Sequence, residues 1–174
     1  MNFLSFAKTE LSAALARGVR QCVLIGTRAT LGESFQSAPD GILQVFVVEE
    51  EPLAVALEKS SFDKRQASLF IWLGSAGYRT VEAVFAALAF IASLPKESGV
   101  VFDYAEERVS LGSLAHSALD ALASRVAMAG DSVKYLIQPQ AVSALLRGFG
   151  FQKIVDLTQE ELPVSGGHLV SAAT

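Results

Sequence analysis

Apolar residues along this chain switch between two spacings, and the switching sketches an architecture. From Phe3 to Arg17 they recur at helical intervals, through Phe3, Phe6, Leu11, Ala14 and Leu15, and Gly18 supplies a stop. "QCVLI" is then an unbroken apolar run up to Gly26, the pattern of a strand covered on both faces. Thr30 or Ser34 suits the opening of a brief helix, and "SAPDG" suits a turn. "ILQVFVVE" is β-branched and aromatic and predicts a second strand, closed by Glu49, Glu50 and Glu51. Pro52 fits the first turn of a helix through "LAVALEK".

The alternation continues to the end. "SLFIWLG" predicts a third buried strand ending in Gly74, and a long helix runs from Thr80 and Glu82 to about Leu94, stopped by Pro95. "GVVFDY" predicts a fourth strand ending in Asp103. A helical region follows from about Leu111 to Ala129, and "QPQAVSALLRGFG" places Pro139 at a helix start and glycines past its end. "FQKIVDL" and "HLVSAAT" are two terminal strands joined by "TQEELPVSGG", a link without a helix that suits an antiparallel pair. Strand and helix in alternation predict an α/β protein: a mostly parallel sheet with helices on both faces and one antiparallel strand near the C-terminus.

Composition narrows the picture. A chain of 174 residues, 51% hydrophobic and with no linker or repeat, reads as one domain over 1–174. A net charge of -4 without a Lys/Arg cluster argues against nucleic acid. The longest apolar stretch, Ala83 to Leu94, is shorter than the about 20 residues that span a bilayer, so no membrane role is expected. The mean hydropathy of +0.40 suggests a large core together with apolar surface covered by a second subunit. Cys22 is the single cysteine, which excludes an internal disulfide. With no arginine-led signal at the start, the expected compartment is the cytoplasm, and Met1 ahead of a helical start suits a complete product.

Five stretches resemble one family in its own order: "AALARGVRQCVLIG", "VFVVEEEP", "FIWLGSAGYRTVEAVFAALAFIASLPKESGVVFDY", "ALASRVAMAGD" and "LLRGFGFQKIVDL". Together they cover roughly Ala13 to Leu157 and are similar to the leucine carboxyl methyltransferase-like family of S-adenosylmethionine-dependent methyltransferases. The resemblance implies the Rossmann-like class I methyltransferase sheet. It also implies two losses: the N-terminal helical lid, and one strand with its helix between Lys59 and Ala67. The family's sheet order of 3-2-1-4-5-7-6 then becomes 2-1-4-5-7-6, a permitted crossover.

The same resemblance assigns a cofactor site for S-adenosylmethionine and shows where this chain departs. The family's first strand leads into a Gly-Ala-Gly-Leu-Asp-Thr-Arg-like loop, whose first glycine matches Gly26. Its second glycine falls on Arg28, its aspartate on Thr30 and its arginine on Gly32. A glycine there admits close approach of a ligand to the backbone, whereas a guanidinium fills or crosses that space. Glu49 and Glu50 match the acidic residues that hold ribose hydroxyls, and an acidic cap on the helix entered at Pro52 explains them equally. Of the family's Glu-Gly after the "FIW" strand, only Gly74 carries over, since Leu73 replaces the glutamate.

Each candidate also has a structural explanation. Gly26 serves either cofactor approach or a plain strand-to-helix turn, and Arg28 serves either an anion or a carboxylate partner. Tyr78, Asp103 and Tyr104 lie just beyond or at strand C-termini, where open α/β sheets place ligands, and each could instead pack beneath a helix. His116 has no partner at metal-ligand spacing, His168 reads as the start of a strand, and no metal is expected. Ser75 and Ser165 lie outside any nucleophile-elbow pattern, and Cys22, buried by pattern, is a poor nucleophile. Two functions follow: a methyltransferase, for which an O-methyl acceptor of small-molecule or carboxylate type is implied, or an inactive methyltransferase-fold protein acting as an oligomeric binding or scaffold module. A homodimer and a small-molecule ligand are the expected partners.

Overall fold

The computed structural model describes residues 3–26, 41–48, 51–72, 81–105, 139–157 and 167–174. Within them run α1 (Phe3–Ala16), β1 (Gln21–Gly26), β2 (Leu43–Val48), α2 (Leu53–Glu58), β3 (Ser68–Trp72), α3 (Val81–Ala92), β4 (Gly99–Ala105), α4 (Pro139–Phe149), β5 (Lys153–Leu157) and β6 (Gly167–Ala173). The strands form one six-stranded sheet in the order β2-β1-β3-β4-β6-β5. β2, β1, β3 and β4 pair in parallel, and β6 runs antiparallel to both β4 and β5. Counted without a third strand, the order 2-1-4-5-7-6 that the resemblance implied is this one. Residues 59–67, between α2 and β3, hold turns and no strand.

The unbroken apolar runs became the central strands. All six residues of β1 and all five of β3 are buried, as expected of strands covered on both faces. Alternation along them sorts the core into two layers. Val23, Ile25, Phe70, Trp72, Val100 and Phe102 face α2, α3 and α4, while Cys22, Leu24, Leu69, Ile71 and Val101 face α1 through Phe6, Ala7, Leu11 and Ala14.

Two glycines end helices as the sequence suggested. Gly18 has φ 98° and Gly150 has φ 105°, a backbone region that other residues enter only at a cost. After α1, Gly18 N–H donates to Leu15 O and Val19 N–H to Ala14 O, at 3.0 and 3.1 Å. After α4, Gly150 N–H donates to Arg147 O and Phe151 N–H to Leu146 O, at the same two distances. This paired pattern satisfies carbonyls that the helix would otherwise leave open, and buries Val19 and Phe151 against the core.

Several boundaries move. α3 ends at Ala92, short of Leu94, because Ser93 and Leu94 turn back with N–H bonds to Phe90 O and Ile91 O. β4 extends past Asp103 to Ala105, since its ladder with β6 continues to Ala105 opposite Gly167. The expected helices near Thr30 and over 111–129 lie outside the described residues.

Candidate functional site

In an open α/β sheet, ligands sit beyond the carboxyl ends of the strands where the strand order reverses. Here that point lies between β1 and β3, because the chain goes from β1 outward to β2 and then back to β3 on the other side. Gly26 ends β1 there, buried and in register with Val48, the last residue of β2. Its predecessor Ile25 is in register with Trp72, the last residue of β3. Of the six residues assigned to the cofactor, Gly26 is the one within the described residues. Arg28, Glu49, Glu50, Gly74 and Tyr78 lie outside them, as do Leu73 and His116.

Along the same edge the structure brings together a group that sequence reasoning assembled only in part. Tyr104 near the end of β4, Asp156 near the end of β5 and His168 at the start of β6 all face the side covered by α3 and α4. The Tyr104 hydroxyl donates to Asp156 Oδ2 at 2.7 Å, and His168 Nδ1 lies 3.0 Å from Asp156 Oδ1. The Tyr104 and His168 rings stack, with centroids 4.8 Å apart and planes inclined by 18°. His168 and Tyr104 are register partners and are 2% and 6% exposed, so two polar tips meet inside an otherwise apolar layer. Asp156 satisfies both, as burial of polar groups requires.

Tyr104 was a sequence candidate, His168 was read as the start of a strand, and Asp156 was missed. One signal could have found it. In "KIVDL", Ile154 faces the core, so Asp156 two residues later occupies an inward position that an edge strand normally fills with an apolar side chain. Asp103 belongs to the opposite face, in register with Leu169. It is not brought to the group.

Two other features lie away from this edge. A cavity of about 340 Å³ lined by Ala54, Leu57, Phe62, Lys64, Arg65 and Phe90 also touches Asp63. The Gln21 amide, at the start of β1, bonds Asp63 N–H and O, both at 2.8 Å, so this cavity lies at the opposite end of the strands from Gly26. Cys22 is 2% exposed, and burial pushes its thiol up to about 12. A thiol so held is not a nucleophile at neutral pH. A disulfide reagent is therefore expected to leave native protein unreacted and to release one equivalent after denaturation; prompt native release would show that α1 opens. Among the described residues no group of three His, Cys, Asp or Glu could hold a metal ion, and no helix is long and apolar enough to cross a membrane.

No family model and no curated protein matches the chain. Solved structures do. A methyltransferase from Archaeoglobus fulgidus, described as SAM dependent, matches with a TM-score of 0.51 and 14% identity over 98% of this chain and 94% of its own. PigF with SAH matches with a TM-score of 0.54 and 13% identity over 89% and 50%. Human N-acetylserotonin methyltransferase in complex with SAM matches with a TM-score of 0.51 and 15% identity over 88% and 47%. The chain thus spans about half the length of the latter two. At these identities the likeness establishes architecture: this chain has the Rossmann-like fold of class I S-adenosylmethionine-dependent methyltransferases.

Proposed function

We propose that this chain is a methyltransferase of the leucine carboxyl methyltransferase-like kind, binding S-adenosylmethionine and methylating an oxygen of a small molecule or carboxylate. The observation that carries the reading is the sheet itself: order β2-β1-β3-β4-β6-β5, β6 antiparallel, and Gly26 buried at the carboxyl end of β1 beside the order reversal. The five family-like stretches supply the finer assignment. In this reading Gly26, Arg28, Glu49, Glu50, Gly74 and Tyr78 bind the cofactor, which supplies the methyl group. The protein's work is to orient an acceptor oxygen and exclude water. We place the protein in the cytoplasm.

A second reading, an inactive module that works as a homodimer, draws support from β2. This strand ends the sheet with the sequence "LQVFVV", which has no proline or charge to discourage edge pairing, and Phe46 on it is 51% exposed. Calorimetry with millimolar S-adenosylhomocysteine separates the two. The methyltransferase reading expects a saturable binding heat. Absent heat from protein that light scattering finds dimeric would transfer the case to the inactive module.

A further inference from the structure

The two outermost strands of the sheet differ in chemistry. β5 carries Lys153 and Asp156 among its five residues, and the Lys153 side chain is 66% exposed, which discourages a further strand from pairing there. β2 is the uncharged "LQVFVV", and among the described residues no strand pairs with its outer side. Its hydrogen bonding shows which backbone groups face out. Leu43 N–H donates to Arg20 O at 3.0 Å, just ahead of β1, so Leu43 turns its backbone groups toward β1. Alternation gives Val45 and Val47 the same direction and turns the N–H and C=O of Gln44, Phe46 and Val48 outward.

The side chains at this edge suit a copy of themselves. Phe46 is in register with Leu24, on the face covered by α1, and half of it remains exposed. Val45 and Val47 are buried on the other face, in the layer shared with α2, where Val55 is also exposed. The triplet Val45-Phe46-Val47 reads the same in both directions. Residues directly opposite in an antiparallel pair share a face of the sheet. A two-fold axis through Phe46 therefore sets Phe46 against Phe46 on one face and Val45 against Val47 on the other. Aromatic and β-branched pairs of this kind stabilise antiparallel strands. Charge selects the same direction. The sequence runs from β2 into Glu49, Glu50 and Glu51, and antiparallel pairing puts the two acidic runs at opposite ends of the joint, whereas parallel pairing sets them side by side.

We propose that β2 pairs antiparallel with β2 of a second copy of this chain, centred on Phe46, so that two sheets join into one; this rests on the homodimer of the second reading and holds whether or not the cofactor binds. The Phe46 N–H of each copy donates to the Phe46 carbonyl of the other, and the two exposed rings cover one another. The interface uses the same patch on both copies and so closes on itself. With Lys153 and Asp156 on the far edge, assembly stops at two.

Three measurements test it. First, the wild-type chain is expected to sediment as a dimer. A monomer at the highest soluble concentration overturns the homodimer and this proposal together, and leaves the edge to a different strand. Second, F46K sets like charges directly opposite each other and is expected to sediment as a monomer with an unchanged circular dichroism spectrum. A dimer that survives F46K lies elsewhere on the surface, which overturns this proposal and spares the homodimer. Third, F46C is expected to cross-link to its own copy under mild oxidation, while Cys22 stays buried. Q44C is the control. Two copies of position 44 stand four residues apart across the axis, about 13 Å, beyond the roughly 7 Å between Cα atoms that a disulfide can bridge. Cross-linking of both variants alike, or of neither, overturns the pairing centred on Phe46, and this comparison decides where F46K fails to fold.

Discussion

Replacing Phe70 with alanine is expected to destabilise the protein by about 3–5 kcal/mol, the usual cost of emptying a fully buried phenylalanine site. Phe70 is fully buried in the middle of β3, and its neighbours make collapse of the resulting void difficult. Its ring meets Phe62 at 5.9 Å and Phe90 at 6.5 Å, both edge to face, and Phe62 and Phe90 are themselves 6.4 Å apart. Each such pair adds roughly 0.5–1.5 kcal/mol beyond the area it buries. Phe90 belongs to α3 and Phe62 to the turn segment after α2, so one ring joins the sheet to the helical layer and to the turns that lead into β3. Phe70→Leu keeps most of the apolar volume and is expected to cost less than half as much. Urea denaturation monitored by circular dichroism reads both. A Phe70→Ala change below about 1 kcal/mol would mean that α2 and α3 settle into the void, against the packed-interior behaviour assumed here.

That aromatic trio shows which parts of the fold could be read from sequence. β1 and β3 were legible because burial on both faces leaves unbroken apolar runs, and "QCVLIG" and "SLFIW" have no other use in an α/β chain. The helix ends at Gly18 and Gly150 were legible because a positive φ favours glycine. The antiparallel course of β6 was legible in the link "TQEELPVSGG", whose sequence is too short and polar for a crossover helix. Boundaries such as the end of β4 depend on pairing with a distant strand, and local pattern carries no record of that.

The site divides differently. The candidate cofactor residues came from a resemblance in wording, and Gly26 alone among them falls within the described residues. The meeting of Tyr104, a candidate by itself, with Asp156 and His168 was obscure for a topological reason. Asp156 is 52 residues from Tyr104 and 12 from His168, and the three meet because β6 inserts between β4 and β5. Read singly, each is an ordinary strand residue. Their shared face emerges when the alternation of three strands is combined with the register Tyr104 opposite His168 and Asp156 opposite Val170. An inward-facing acid on an edge strand was the one local sign.

Gly99→Val is expected to be the other severe substitution, and here the sign has to be argued. A glycine inside a strand is intrinsically unfavourable, so adding a side chain would by itself gain about 0.5–1 kcal/mol. Against this, a Cβ on Gly99 would stand 2.7 Å from the carbonyl oxygen of Ala172 and 3.4 Å from Ala173 Cα and Cβ. The obstructing oxygen is backbone, and it cannot rotate aside as a side chain would. Nor is β6 free to slide at this end. Thr174 N–H donates to Ser98 O at 3.0 Å, Glu97 N–H donates to Thr174 O at 3.3 Å, and Gln152 N–H donates to Ala173 O at 2.8 Å. The turn before β4 is equally fixed, with Glu97 at φ 71° and its carboxylate 2.9 Å from the Arg17 guanidinium. Overpacking of a fixed interior costs about 1–3 kcal/mol and occasionally more, so the clash outweighs the intrinsic gain. Gly99→Ala is expected to lose roughly 1–2 kcal/mol and Gly99→Val more, since two further methyl groups must fit beside the same oxygen. Thermal unfolding of both variants reads this order. A Gly99→Val protein as stable as the parent would show that the β4–β6 ladder yields at its end, and that the clasp from Ser98 to Thr174 does not hold it.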